Sequence, residues 1–166
     1  MKHIGPFIGI LVYLALQASV AHRIAIGPVE PDFVVVCVVL FGLQRGPIAG
    51  SLFGFIVGLV VDLGNPGFLG LNALAKTVLG YGSGRLGAAT SPGVVVLFIV
   101  FFVASFAHDI IYEMVFLWPH LGNAFVTLFT VSLPSALYTA VAGIVVERLL
   151  AMLGARVVTS LGQERQ

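Results

Sequence analysis

Charged side chains are scarce in this chain. Only 9% of its 166 residues are Asp, Glu, Lys or Arg, whereas a soluble domain carries about 25%. Eight basic and seven acidic groups are too few to cover the surface of a soluble protein of this length. With a formal net charge of only +1, the composition excludes a soluble enzyme, a disordered chain and a nucleic-acid-binding protein.

Cysteine and catalytic motifs are scarce too. Cys37 is the single cysteine, which excludes an internal disulfide and a cysteine-based metal cage, and a small apolar filler is its expected role. Gly80-Tyr81-Gly82-Ser83-Gly84 lacks the strand–turn–helix context of a nucleotide-binding loop. The sequence has no nucleophile motif and no cluster of metal ligands. We therefore expect no catalytic residues, no metal and no cofactor.

Apolar residues are abundant instead. They make up 59% of the chain, and counting the 20 glycines but not the 4 tyrosines gives about 69% against a usual 45–50%. This composition predicts an all-α polytopic membrane protein. Six helices are predicted, over Ile4–Ala21, Phe33–Leu43, Pro47–Val61, Phe68–Leu86, Val94–Trp118 and Ala124–Leu150. The second and third are short and could instead form one re-entrant hairpin.

We predict a single six-helix membrane domain over residues 1–153 and a short cytoplasmic tail over residues 154–166. Lys2 followed by an apolar run could instead mark a signal peptide, with Ser19-Val20-Ala21 as its cleavage site. Cleavage there would leave five spans. We favour a permanent first helix.

The basic residues predict the orientation. With six spans and the N-terminus inside, the inner side holds Lys2, Arg45, Arg85, Arg148, Arg156 and Arg165. The outer side holds Arg23, and Lys76 falls within a span. Because cytoplasmic loops are enriched in Lys and Arg, we expect both termini in the cytoplasm. Five acids then fall at the outer end or in the outer half: Glu30, Asp32, Asp62, Asp109 and Glu113.

A glycine stripe runs along the third segment. Gly46, Gly50, Gly54 and Gly58 are spaced by four residues, and Asp62 continues the spacing. Each such step turns a helix by about 40°, so the glycines form one smooth surface. Small residues at this spacing let a neighbouring backbone approach closely. The stripe predicts either docking of a partner's helix or packing against another helix of the same chain.

Asp62 ends the stripe and begins a tight outer turn, Asp62-Leu63-Gly64-Asn65-Pro66-Gly67. Its carboxylate could bind a ligand or a partner there. Alternatively it could be solvated, or accept hydrogen bonds from the N–H groups of the turn.

Lys76 requires a partner, because an unpaired ammonium within a membrane helix costs about 2.5–3.5 kcal/mol on insertion scales. The helical rise puts Lys76 about 12 Å and Asp109 about 13 Å from the outer end of their spans. We therefore predict that Lys76 pairs with Asp109.

Further polar residues lie at the same level and suggest a larger polar site. The candidate site comprises Asp62, Asn72, Lys76, His108, Asp109, Tyr112 and Glu113. Such a site could bind a ligand, relay protons or clamp a partner's helix. The alternative is a buried structural network that holds the helices in register.

Residues 31–87 carry a combination of motifs. An apolar run leads from Pro31-Asp32 to Gln44-Arg45-Gly46-Pro47, and the glycine stripe ending in Asp62 follows. The segments Gly70-Leu71-Asn72-Ala73-Leu74, Gly80-Tyr81 and Gly84-Arg85 complete the pattern. In this combination the chain resembles the rod shape-determining protein MreD family. The remainder agrees with the family in length and number of spans.

This resemblance implies a non-catalytic scaffold of the bacterial inner membrane that serves the cell-elongation machinery. Its implied partner is MreC, a bitopic protein with a periplasmic domain. Through MreC, the family helps to link cytoplasmic MreB filaments to RodA and a class B penicillin-binding transpeptidase, and so to peptidoglycan synthesis. The resemblance also implies a fold similar to the S components of energy-coupling-factor transporters. We expect the glycine stripe and the polar site to dock the MreC transmembrane helix.

Two other functions are weighed against this one. In the first, a vitamin-binding S component, Asn72, Lys76, Asp109 and Glu113 would line a pocket for a small polar molecule. In the second, a membrane enzyme acting on a lipid-linked precursor, Asp109 and Glu113 would serve as an acid–base pair.

Overall fold

The computed structural model describes residues 25, 29–64, 67, 69–89, 92–116 and 126–152. The long elements of this part are five α-helices. They are α1 (Phe33–Arg45), α2 (Pro47–Asp62), α3 (Leu71–Ala89), α4 (Val94–Phe116) and α5 (Leu133–Met152). A π-helical turn, Leu128–Ser132, leads directly into α5. The predicted first helix, Ile4–Ala21, and the predicted tail lie outside the described residues.

Local capping signals determine where α1 and α2 begin and end. The carboxylate of Asp32 accepts hydrogen bonds from the backbone N–H groups of Val34 (2.7 Å) and Val35 (3.0 Å), which caps the start of α1. At the other end, Gly46 has a φ of 87°, a conformation that favours glycine. Pro47 is the first residue of α2, where its missing N–H costs no hydrogen bond. These signals explain why two separate helices replace one long one.

The π-helical turn before α5 has a similar cause. Pro134 is the second residue of α5, and proline has no N–H to donate to the preceding helical turn. The chain accommodates this loss by widening to the π geometry over Leu128–Ser132. The last predicted segment, Ala124–Leu150, therefore changes its helical geometry just before Pro134.

Among the described residues, two helices are long and apolar enough to cross a membrane, over Val94–Glu113 and Leu128–Met152. The apolar helices α1 and α2 have 13 and 16 residues, or about 20 and 24 Å at the helical rise. A bilayer has a hydrocarbon core of about 30 Å. The count of six transmembrane helices therefore remains a prediction.

The core is built around α1. Its five valines from Val34 to Val39 are at most 4% exposed, because α1 packs against α2, α3, α4 and α5. Large apolar side chains on the outer faces of the other helices are exposed, such as Leu52 at 60%, Val95 at 72% and Phe129 at 66%. Such exposure is costly in water but favourable in lipid, as expected for a membrane domain.

Candidate polar site and helix seam

The glycine stripe of α2 packs against α3 of the same chain. A Cβ added to Gly50 would collide with the carbonyl oxygen of Gly80, and one added to Gly54 would collide with that of Lys76. One added to Gly58 would lie 2.5 Å from the Cα of Ala73. Because α3 already occupies this face, a partner's helix cannot pack there. The interpretation of these three glycines as a docking surface for a partner is therefore wrong. The alternative, packing within the chain, is what the structure has.

Gly46 contributes to this seam through its backbone, since its carbonyl carbon lies against the Cβ position of Gly84. Nothing lies within 4 Å of the position of its own missing Cβ, so glycine is favoured there by the positive φ of the turn between α1 and α2. The seam is completed from the other side by Gly80 and Gly84, whose Cβ positions meet the backbone at Gly50 and Pro47. Glycines on both helices thus bring the backbones of α2 and α3 into contact.

Asp62 fastens the start of α3 to the end of α2. Its side chain is 1% exposed. Its two carboxylate oxygens accept hydrogen bonds from the backbone N–H groups of Gly70 (2.9 Å), Asn72 (3.1 Å) and Ala73 (3.0 Å). A fourth bond comes from the Asn72 side-chain amide (3.0 Å). The carboxylate therefore satisfies N–H groups that the first turn of a helix leaves unpaired.

Lys76 is fully buried, at 1% exposed, and lies next to Asn72 and His108. Its amine donates to Oδ1 of Asn72 (2.8 Å) and lies 2.9 Å from Nε2 of His108. His108, rather than Lys76, contacts Asp109, with Nδ1 3.2 Å from Oδ1. The predicted direct pair of Lys76 and Asp109 is therefore replaced by a chain through His108. The equal depths of Lys76 and Asp109 along their helices do not indicate that His108 lies between the two side chains.

One assignment of protons satisfies this chain. If His108 carries its proton on Nδ1, that nitrogen donates to Asp109. Nε2 of His108 and Oδ1 of Asn72, which lie 3.1 Å apart, then both accept from the Lys76 amine. Asn72 then accepts from Lys76 and donates to Asp62. The network ties α2, α3 and α4 together within the bundle. This is the structural role that the alternative interpretation assigned to the polar group.

Tyr112 and Glu113 extend the polar region in different ways. The Tyr112 ring stacks on that of His108, with 6.3 Å between the centroids. Glu113 and Asp109 instead face a cavity of about 160 Å³. The cavity is lined by Glu30, Asp32, Ser105, Asp109, Glu113, Val131, Ser132, Ser135 and Thr139. The predicted site is thus divided into a buried network and a separate acidic cavity, with Asp109 at the boundary.

The hydroxyl residues of this cavity are absent from the sequence-based candidate set. Ser132, Ser135 and Thr139 are spaced by three and four residues, the spacing of one helical face. The backbone N–H of Asp32 donates to Oγ1 of Thr139 (2.9 Å), which brings the start of α1 to this face. The spacing of these three hydroxyl residues can be seen in the sequence, but no local signal indicates which acidic residues lie near them in the fold.

The sequence model of the rod shape-determining protein MreD family matches residues 1–153. The chain belongs to the MreD family. This establishes a role in rod shape determination and, together with the apolar helices, a membrane protein. Comparisons with curated proteins and with solved structures gave no significant match.

In this MreD family member, the described residues include no group of three or more His, Cys, Asp or Glu side chains arranged to hold a metal ion. Among the described residues, the polar lining of the acidic cavity consists of carboxylates and hydroxyls.

The buried network predicts strong coupling between Lys76 and His108. Replacing either residue leaves the other polar group buried with a missing partner. In a double-mutant cycle of Lys76→Met and His108→Leu, we expect a coupling energy of about 0.5–3 kcal/mol. The measurement is the unfolding free energy of the purified protein in detergent.

A second cycle, of Lys76→Met with Asp109→Asn, serves as the comparison. Lys76 contacts His108 directly but reaches Asp109 only through it, so the second coupling should be the smaller. Fully additive effects of Lys76→Met and His108→Leu would contradict the network.

Proposed function

We propose that this protein is a non-catalytic scaffold of the cell-elongation machinery and that it binds the transmembrane helix of MreC. The observation that carries the proposal is the family match over residues 1–153, because it places the chain in the rod-shape machinery. The match also coincides with the predicted single membrane domain. MreC in turn would connect the scaffold indirectly to MreB filaments, RodA and a class B penicillin-binding transpeptidase.

The arrangement in the membrane is part of the same proposal. We infer a multi-pass protein of the bacterial inner membrane with six spans and both termini in the cytoplasm. The distribution of Lys and Arg supports this orientation. A fold like that of the energy-coupling-factor S components remains an inference from the family resemblance.

The polar residues favour a scaffold over a vitamin-binding subunit. An S-component site would require Asn72 and Lys76 to face the same pocket as Asp109 and Glu113. In the structure, Asn72 and Lys76 bond to each other and do not line the acidic cavity. We therefore do not propose the transporter function.

The proposal is tested by affinity purification of the tagged full chain, coexpressed with MreC from the same genome, after crosslinking in native membranes. We expect MreC to be recovered with the chain and not with an unrelated six-helix membrane protein expressed at the same level. In a strain lacking its own family member, the chain should also restore rod shape. Recovery of MreC at the level of the unrelated control would contradict the proposal.

A further inference from the structure

The acidic cavity contains a carboxylate oxygen that lacks a partner. Oε2 of Glu113 has almost no solvent-accessible surface and no hydrogen-bond partner among the described residues. Ser105 is 1% exposed and Ser132 is 4% exposed. Both residues line the same cavity. Buried polar groups are normally paired, so a hydrogen-bond donor that entered the cavity would satisfy the Glu113 oxygen.

The lining specifies the charge of that ligand. Four carboxylates face the cavity, from Glu30, Asp32, Asp109 and Glu113, and the described lining residues include no Lys, Arg or His. An ionised carboxylate only accepts hydrogen bonds, and a serine hydroxyl can also accept them. A positively charged group with several N–H donors complements this set, whereas an anion would be repelled.

The volume and surroundings of the cavity further restrict the chemical group that it can bind. At about 30 Å³ per liquid water, a volume of 160 Å³ corresponds to about five waters, which suits an ammonium or guanidinium group. Exposed apolar residues lie on the two helical segments that line the cavity, including Ile110 of α4 and, in the segment leading into α5, Val126 and Phe129. A hydrated ion would not cross such a surface, but a Lys or Arg side chain has an apolar stem that can lie along it.

We propose that this cavity binds the ammonium or guanidinium group of a basic side chain on the partner's transmembrane helix. The proposal rests on the proposed function, because it takes that helix to belong to MreC. Pairing inside the membrane stabilises both the partner's cation and the carboxylate of Glu113. It therefore selects a partner whose basic residue lies at the depth of Glu113.

The first test compares co-purification of full-length MreC with the wild type and with Glu113→Gln. Removing one member of a buried charge pair across an interface is expected to weaken the apparent affinity at least about tenfold. Glu147→Gln is the matched control, since Glu147 is a buried acid of α5, 1% exposed, that does not line the cavity. It should bind like the wild type, and both variants should keep a cooperative unfolding transition.

Charge reversal identifies the partner residue. Glu113→Lys should abolish recovery of MreC, and changing one Lys or Arg in or beside the MreC transmembrane helix to Glu should restore it. Equal recovery with the wild type and Glu113→Gln would overturn the cavity proposal while leaving the scaffold function intact. If the wild type itself recovers no MreC, the scaffold function fails instead.

A second measurement tests the cavity without MreC. In a Cys37→Ala background, Glu113→Cys is labelled with a cationic or an anionic methanethiosulfonate of similar size. The three remaining acids should raise the ratio of cationic to anionic labelling at least about tenfold. The reference is the same ratio at Ser51→Cys, a half-buried position on α2 that does not line the cavity. Equal ratios at the two positions would overturn the cation preference.

Discussion

Gly54→Ala is expected to destabilise the folded domain by about 1–3 kcal/mol, the usual cost of overpacking. The added methyl would collide with the carbonyl group of Lys76 in α3. Backbone cannot move aside as a flexible side chain can, so α2 and α3 would have to separate. Gly54→Leu should therefore reduce the yield of folded protein more severely. The measurement is the unfolding free energy in detergent.

Gly82→Ala is the matched control. Gly82 lies in α3, and nothing is within 4 Å of its Cβ position. Since alanine is the better helix former by about 0.8–1.0 kcal/mol, this variant should be as stable as the wild type or slightly more stable. If Gly54→Ala were as stable as Gly82→Ala, the α2–α3 seam would not be as close as the structure has it.

Asp62→Ala is expected to cost at least about 3 kcal/mol, because it leaves several buried N–H groups without an acceptor. Three of these are backbone groups at the start of α3, and the fourth is the Asn72 amide. The loss of Asn72 orientation should also disturb Lys76, to which it is bonded. Unfolding in detergent measures the total effect.

Two variants calibrate this result. Asp62→Asn keeps one acceptor oxygen but presents an amide N–H₂ to backbone donors, so its stability should fall between those of the wild type and Asp62→Ala. Ser51→Ala removes an exposed hydroxyl that bonds to the carbonyl of Ile48, and it should change stability by less than about 0.5 kcal/mol. Equal stability of Asp62→Ala and Ser51→Ala would show that Asp62 does not hold the start of α3.

The helix boundaries could be predicted closely because their signals are local. The second predicted segment, Phe33–Leu43, becomes α1 at Phe33–Arg45, and Pro47–Val61 becomes α2 at Pro47–Asp62. An acid cap, a glycine and a proline within a few residues specify these ends. The fourth predicted segment begins at Phe68, three residues before the observed start of α3 at Leu71. The N–H groups at that start are capped by the carboxylate of Asp62, which belongs to α2.

The polar site was predicted less well for a physical reason. Helical rise gives the depth of a residue, so it correctly predicts that Lys76 lies level with the polar residues of α4. It does not give the direction in which a side chain points once the helices are packed. His108 precedes Asp109 by one residue, or about 100° around the helix, and this rotation puts the imidazole beside the amine.

Composition and local signals predict a membrane protein and the ends of most described helices, and the motifs of residues 31–87 resemble the family that the sequence model then matches. These properties depend on the solvent that each residue requires and on neighbours within a few positions. Only the tertiary structure decided that the glycine stripe faces α3 and that four acids surround one cavity. Asp32 and Thr139 meet although 107 positions separate them. Such contacts depend on which helix faces pack together, and periodicity along one helix does not specify the partner of a face.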